Sequence, residues 1–345
     1  MTRVLIRGAG VFGLAIGFAC ARRGAAVDVV DPGGVAAGAS GGPVGALAPH
    51  VPENWNEKKA FQFDSLIRSA AFWGDVERIG GRPTGYARLG RLQPLADDAA
   101  CDLARARAAS ARELWQGLAQ WEVVVAGDAG PWAPVSPTGW LVRDSLSARI
   151  DPQKACAALA AAILRRGGTI SREEPAEGDF VLWATGASGL RALGAELGRD
   201  VGTGVKGQGA RLACDRHGAP QIFADGLHVV PHADGTVGVG STSERAFDDP
   251  SATDAQLDAV IARARAAVPD LADAPILARW AGVRPRARTR APMLGPHPDR
   301  AGHFIANGGF KIGWGMAPKV AEVMADLILE GRDAIPAGFR VADNL

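Results

Sequence analysis

The chain has 345 residues, 47% hydrophobic and 22% charged, a globular composition long enough that two domains are expected rather than one core. A formal net charge of +1 implies no polyanionic partner, and with 32 arginines against six lysines a single arginine is a weak signal and a lysine a stronger one. Four scattered cysteines (Cys20, Cys101, Cys156, Cys214) form no C-x-x-C pair and read as buried free thiols in a reducing compartment.

The first element is the apolar run 3–7, followed by Gly8-Ala-Gly10-Val11-Phe12-Gly13, a helix over 11–23 and a second apolar run over 27–31 that ends in Asp31. This strand–helix–strand unit with G-x-G-x-x-G spacing is a dinucleotide-binding signature. Gly8 allows the tight turn, Gly10 lets backbone approach a pyrophosphate, and Gly13 lets the helix pack on the sheet. The helix start, at Val11 and Phe12, offers free N–H groups and the positive dipole end. Asp31 stands where a carboxylate can accept hydrogen bonds from an adenosine ribose. Only Met1 and Thr2 precede the first strand, which leaves no room for a targeting peptide, and the cytoplasm is the expected compartment.

Residues 33–49 contain six glycines and almost no charge, as expected of backbone packed against something flat and large. A broad apolar stripe predicts a helix over 57–79, and strand character runs from Tyr86 to Leu95. An alanine- and arginine-rich helix is predicted over 97–120; its arginines lack interleaved aromatics and read as a solvated face. Asp151-Pro152 opens a helix over 152–166. An apolar strand over 180–186 closes on Ala184-Thr185-Gly186, and extended segments over 221–224, 227–231 and 236–240 are separated by Asp-Gly turns, the pattern of an antiparallel sheet. Helices are predicted over 253–268 and 317–330, the latter following the glycine-rich stretch 307–315. No apolar run reaches the roughly 18 residues of a membrane span.

This alternation predicts an α/β two-domain fold: a dinucleotide-binding Rossmann domain from residues 1–82, 143–202 and 286–345, interleaved with a mainly antiparallel domain from 83–142 and 203–285. The six histidines lack ligand spacing, so no metal site is expected, and no Gly-x-Ser-x-Gly nucleophile elbow is present.

Taken in order, the N-terminal glycine unit with Asp31, the stretch Ala39-Ser40-Gly41-Gly42-Pro43-Val44-Gly45-Ala46-Leu47-Ala48-Pro49, Trp183-Ala184-Thr185-Gly186, Val205-Lys206-Gly207-Gln208, Trp280-Ala281-Gly282-Val283-Arg284-Pro285 running on to Ala291-Pro292-Met293-Leu294-Gly295, and Asn307-Gly308-Gly309-Phe310-Lys311-Ile312-Gly313-Trp314-Gly315 resemble the D-amino-acid oxidase type of FAD-dependent oxidoreductase. That group contains glycine oxidase, monomeric sarcosine oxidase and D-amino-acid dehydrogenase. The resemblance implies FAD in a glutathione-reductase-like nucleotide fold, with the antiparallel domain covering the flavin. It implies oxidation of a small amine, most simply a D-amino acid, glycine or an N-alkyl amino acid, by hydride transfer from the α-carbon and imine hydrolysis, with oxygen or another electron acceptor as partner. The resemblance implies that the amine is held neutral over the flavin, so that the hydride step itself is expected to need no dedicated side-chain base. FAD is expected to be noncovalent, because no cysteine lies near 284–295.

By the same resemblance the flavin-binding residues include Ala39, Ser40, Gly45, Ala46, Leu47, Ala184, Thr185, Gly186, Gly282, Arg284, Gly308, Gly309, Phe310, Lys311 and Ile312. Arg284 matches the family's carboxylate-binding arginine, whose planar fork suits a carboxylate. Lys311 matches a lysine of the sarcosine-oxidase branch, while His50 and His232 are the histidine candidates for the active site. Relatives place a tyrosine over the substrate, and Tyr86, the sole tyrosine here, does not match that position. Two alternatives stay open: a flavin-dependent modifier of a larger amine or nucleic-acid base, and a noncatalytic flavoprotein subunit of a dehydrogenase complex. The balanced charge argues against a nucleic-acid partner, and a homo-oligomer is left open.

Overall fold

The structure, a computed structural model, describes residues 1–173 and 178–345. Its first layer is a six-stranded sheet. In chain order the strands are β1 (Arg3–Arg7), β2 (Ala26–Val30), β8 (Thr169–Ser171), β9 (Phe180–Trp183), β15 (Met293–Pro296) and β16 (His303–Asn307), and their spatial order is β15-β16-β9-β1-β2-β8. All neighbours are parallel except β15 with β16. Helix α1 (Val11–Arg22) packs on both α4 (Pro152–Arg165) and α7 (Gly313–Glu330), and α2 (Glu57–Gly80) likewise packs on α4 and α7. Residues Phe12 to Ala21 of α1 are all buried, as a crossover helix between a parallel sheet and other helices requires.

The second layer is an eight-stranded sheet in the order β14-β10-β13-β12-β11-β4-β6-β5. It comprises β4 (Arg91–Pro94), β5 (Trp121–Val125), β6 (Trp140–Asp144), β10 (Gly202–Ala213), β11 (Gln221–Ala224), β12 (Leu227–Pro231), β13 (Thr236–Gly240) and β14 (Ile276–Ala287). Only β11 with β4 is parallel. Helix α6 (Ala255–Ala267) packs on β10, β12 and β13 over a separate apolar core. Helix α3 (Asp98–Leu114) lies on β5, α5 (Gly186–Leu197) bridges to β10 and β14, and β3 (Ala46–Leu47) pairs with β7 (Ala148–Arg149). This is the two-domain α/β arrangement expected, a Rossmann-like sheet interleaved with an antiparallel one.

Several local expectations change. The strand expected from Tyr86 to Leu95 is only four residues, because Gly85 and Gly90 adopt positive φ and Ala87 makes a single bridge to Arg149. The helix expected to 120 stops at Leu114, where Gln116 and Gly117 turn left-handed. The last helix begins at Gly313 rather than 317, with Gly315 packed beside Leu66 of α2 in spite of the poor helix propensity of glycine. The two 12-residue strands, β10 and β14, carry no alternating pattern. In β10 the glycines leave room for neighbours: a Cβ on Gly207 would lie 2.5 Å from the Arg284 guanidinium, and one on Gly209 would lie 3.0 Å from Pro43.

Cys20, Cys101 and Cys156 are buried and Cys214 is half-buried, all as free thiols. Burial pushes the Cys20 and Cys156 thiols up to about 12. Alkylation of the folded protein at neutral pH is therefore expected to mark Cys214 alone, with the other three labelled only after denaturation. Mass spectrometry of the labelled peptides checks this, and rapid native labelling of Cys20 would show that α1 is not packed as described. Among the described residues, no helix is long and apolar enough to cross a membrane.

Candidate functional site

A cleft of about 520 Å³ opens between the two sheets. It is walled by the first glycine turn, the 37–46 loop, the start of α5, the inner end of β14 and the 306–314 loop. Three helices begin at this cleft, and none is capped by the side chain of its own N-cap residue: α1 after Gly10, where Ser40 takes only the first N–H, α5 after Thr185 and α7 after Ile312. The helices that start elsewhere are closed by their own side chains: Asn56 caps α2, Asp97 caps α3, Asp151 caps α4 and Asp254 caps α6. Uncapped N-termini converging on one cavity form an anion-binding lining built from backbone N–H groups and helix dipoles.

The glycines of the first turn divide by role. Gly8 has φ +114°, and a Cβ there would lie 2.3 Å from the Ala184 carbonyl oxygen, so it locks β1 against the Ala184–Thr185 turn. A Cβ on Gly13 would lie 1.9 Å from the Gly8 carbonyl oxygen, and one on Gly45 1.9 Å from that of Ile150. These three pack backbone on backbone and do not line the cleft. Gly10 does line it, with only the Ser40 hydroxyl near its missing Cβ, and that hydroxyl accepts from Val11 N–H at 3.0 Å. Asp31 accepts from Ala9 N–H and Gly33 N–H, both at 2.9 Å, and its carboxylate borders the cleft.

The cleft brings together most of the residues singled out from sequence: Gly10, Val11, Phe12, Asp31, Ala39, Ser40, Ala46, Ala184, Thr185, Gly186, Gly282, Arg284, Gly308, Gly309, Phe310 and Lys311. Leu47 is fully buried in the core, and Ile312 packs against that core as the residue before α7.

Arg284, on β14, donates from Nη1 to Ser241 Oγ at 2.6 Å, and from Nη2 to the carbonyls of Thr242 at 2.6 Å and Lys206 at 3.3 Å. Its Nε is buried without a partner. Burial holds it down to about 10, with Glu244 opposing, and no carboxylate lies within ion-pair distance among the described residues. The Phe310 ring lies 5.5 Å from this guanidinium and 5.7 Å from Lys311 Nζ. Burial and the neighbouring Arg284 charge push the Lys311 ammonium below its usual range. Behind them, buried Lys206 pairs with buried Glu244 at 3.6 Å, while Gln208 donates to Glu244 and Asp254, so the Lys206–Gln208 stretch anchors the 242–254 segment.

The two histidines proposed from sequence lie outside the cleft lining. The main-chain N–H of His50 donates to Gln62 Oε1 of α2 at 2.8 Å, and its ring Nδ1 bonds the same oxygen. His232 is 1% exposed, with Nε2 2.8 Å from the Pro43 carbonyl oxygen; it supports the 42–44 loop from beneath. The histidine that reaches the cleft is His228. It sits on β12, opposite Gly240 of β13 and Phe223 of β11, with its ring 4.7 Å from that of Phe223. Its Nδ1 is buried without a partner. Burial and the charges of Arg91, Lys311 and Arg284 hold its imidazole neutral, down to about 3. A polar residue in an apolar strand facing a glycine was the available signal. Trp280, whose indole fills the space beside Gly42 and Gly282, and Trp314 also line the cleft and were not foreseen.

A Rossmann-like sheet, a glycine turn and a cationic cleft roofed by an antiparallel sheet define a two-domain dinucleotide-binding protein. The sequence profile described as "FAD dependent oxidoreductase" (DAO) matches residues 3–327, and the chain belongs to that family. It is 36% identical over 174 residues to a glycine oxidase of Pseudomonas aeruginosa, covering 49% of this chain and 47% of the relative, so the match spans about half the length of that protein. With a glycine oxidase of Geobacillus kaustophilus it is 26% identical over 94% of this chain and 92% of the relative. The crystal structure of glycine oxidase from Geobacillus kaustophilus superposes with TM-score 0.86 at 24% identity, covering 99% of both chains. That of iminodiacetate oxidase from Chelativorans sp. BNC1 superposes with TM-score 0.86 at 23% identity, covering 98% of both. At these identities the superpositions establish the fold.

Proposed function

We propose that this protein binds FAD noncovalently in the cleft and oxidises a small amine that carries a carboxylate, such as glycine, a D-amino acid or an N-alkyl amino acid. The residues present fit the cofactor. Three uncapped helix starts suit a pyrophosphate and the electron-rich edge of a flavin, Gly10 lets backbone approach, and Asp31 offers a carboxylate for ribose hydroxyls. When bound, FAD supplies the acceptor for a hydride from the substrate α-carbon.

The observation that carries the substrate reading is Arg284, a largely buried guanidinium at the cleft wall with a free Nε, no acidic partner among the described residues and a second cation, Lys311, beside it. Buried charge without a counter-charge is costly, and a substrate carboxylate is the counter-charge that completes the site. Arg284 and Lys311 then bind and orient the carboxylate, while Phe310 and Trp280 narrow the cleft and exclude water from the reacting carbon. The relatives named as glycine oxidases and iminodiacetate oxidase, which act on amino-carboxylates, support the same class.

The purified protein is expected to be yellow, to hold one FAD per chain and to release it on acid precipitation. Its flavin should bleach anaerobically with at least one of glycine, sarcosine, D-alanine, D-proline or iminodiacetate. A colourless protein that takes up NAD instead, or a flavin bleached only by amines without a carboxylate, would refute the reading.

A further inference from the structure

A substrate amino acid at neutral pH carries an ammonium group, which has no lone pair to form the C=N bond as hydride leaves. A proton must therefore depart first, and the cleft must hold something to receive it. Among the described residues, the titratable side chains lining the cleft are Asp31, Arg191, His228, Arg284 and Lys311. Three of these are cations. Asp31 belongs to the first glycine turn, where both its oxygens accept backbone N–H groups. Glu244, the acid whose charge acts on Arg284, is engaged in its bonds with Lys206, Gln208 and Thr242. That leaves His228.

We propose that His228 contacts the substrate and receives the ammonium proton before hydride transfer. This rests on the amino-acid reading above. The substrate N–H bond breaks, its electron pair stays on nitrogen, and a new N–H bond forms on the imidazole. Total charge is unchanged: a zwitterion and a neutral imidazole become an amino carboxylate and an imidazolium.

The charged surroundings supply the timing. The groups that face His228 are Arg284 of β14, Lys311 of the 308–312 loop and Arg91 of β4; the last is paired with Asp144 at 2.8 Å and so partly offset. Phe223 of β11 and Gly240 of β13 add no charge. In the cleft without substrate, burial first, and then the charges of Arg91, Lys311 and Arg284, oppose a further positive charge and the imidazole stays neutral. A carboxylate seated on Lys311 and Arg284 offsets their share of that opposition, so the imidazole gains basicity when an ammonium proton arrives with the substrate. The same His228 stays unprotonated otherwise, which keeps a free acceptor in place across the neutral range.

The test is the pH dependence of anaerobic flavin bleaching in the holoenzyme, using whichever of glycine, sarcosine, D-alanine, D-proline and iminodiacetate reacts fastest. With an internal acceptor, the limiting rate of the native protein is expected to change less than about threefold between about pH 6.5 and 9. His228→Gln, which keeps a polar side chain but takes no proton, should lose roughly 30- to 100-fold at about pH 7 and recover about tenfold per pH unit as the free amine fraction grows. Its FAD content and its dissociation constant for acetate, read from the flavin spectrum, should stay within about threefold of native. A variant as fast as native at neutral pH overturns the proposal, and so does a loss of equal size at every pH. His228→Asn serves as the second variant. If neither variant retains FAD, the native profile decides: a limiting rate that itself climbs about tenfold per unit overturns the assignment. If no amine bleaches the native flavin, it is the proposed function that fails.

Discussion

Arg284→Ala is expected to lower kcat/KM for the preferred amino acid by about two orders of magnitude, with most FAD retained. A charge-assisted hydrogen bond to a carboxylate is worth roughly 1.5–3 kcal/mol, and about 1.36 kcal/mol corresponds to tenfold in rate. The loss falls on both KM and turnover, because the carboxylate contact fixes where the α-carbon sits as well as whether it binds. Arg284→Lys should recover little: a lysine keeps the charge but cannot at once bond Ser241, the Thr242 carbonyl and a substrate carboxylate. Because Arg284 also ties the 241–242 segment to β14, the control is FAD stoichiometry together with thermal unfolding. A variant that keeps native kcat/KM for carboxylate substrates would make Arg284 a purely structural clamp. Activity toward an amine without a carboxylate, if the native protein has any, should survive the substitution.

Gly10→Ala and Gly13→Ala should separate cofactor binding from folding. The added methyl at Gly10 meets only the Ser40 hydroxyl at 3.2 Å on the protein side, and otherwise points into the cleft. That variant is expected to fold with near-native stability as apoprotein while binding FAD at least about 100-fold more weakly, a loss of roughly 2.7 kcal/mol or more. At Gly13 the methyl would lie 1.9 Å from the Gly8 carbonyl oxygen, backbone that cannot give way without moving β1 or α1. Gly13→Ala should lower the stability of the apoprotein itself by about 1–3 kcal/mol or more. Denaturant unfolding of both apoproteins, alongside FAD titration, checks the pair. Native FAD affinity in Gly10→Ala would remove this turn from the cofactor site.

Much of this protein was legible before folding because its signals are local. A strand, a glycine turn and a helix within 31 residues announce a dinucleotide site, since the whole pattern is contiguous in the chain, even though the Ala184 carbonyl that excludes a Cβ at Gly8 comes from far along it. Helices α2 and α4 were readable from apolar periodicity and from caps at one end. Arg284 and Lys311 were identifiable because each sits inside a motif rather than alone.

What tertiary structure decided is which of several similar side chains reaches the cleft. His228 and His232 share one face of the β12 direction, four residues apart, yet the 42–44 loop roofs over His232 through the Pro43 carbonyl and leaves His228 open. His50 follows the flavin-loop motif directly, but Gln62 on α2 holds its ring. Strands β10 and β14 hid behind glycines whose purpose appears only when the Arg284 guanidinium and Pro43 occupy the space they leave. The three uncapped helix starts are scattered over 300 residues of sequence and become one anion-binding lining only after the sheets bring them together. Local sequence determined the elements and made the glycine turn readable, because their signals are contiguous in the chain. The chemistry of the cleft rests on contacts between residues far apart in the chain, so only the folded arrangement could assign it.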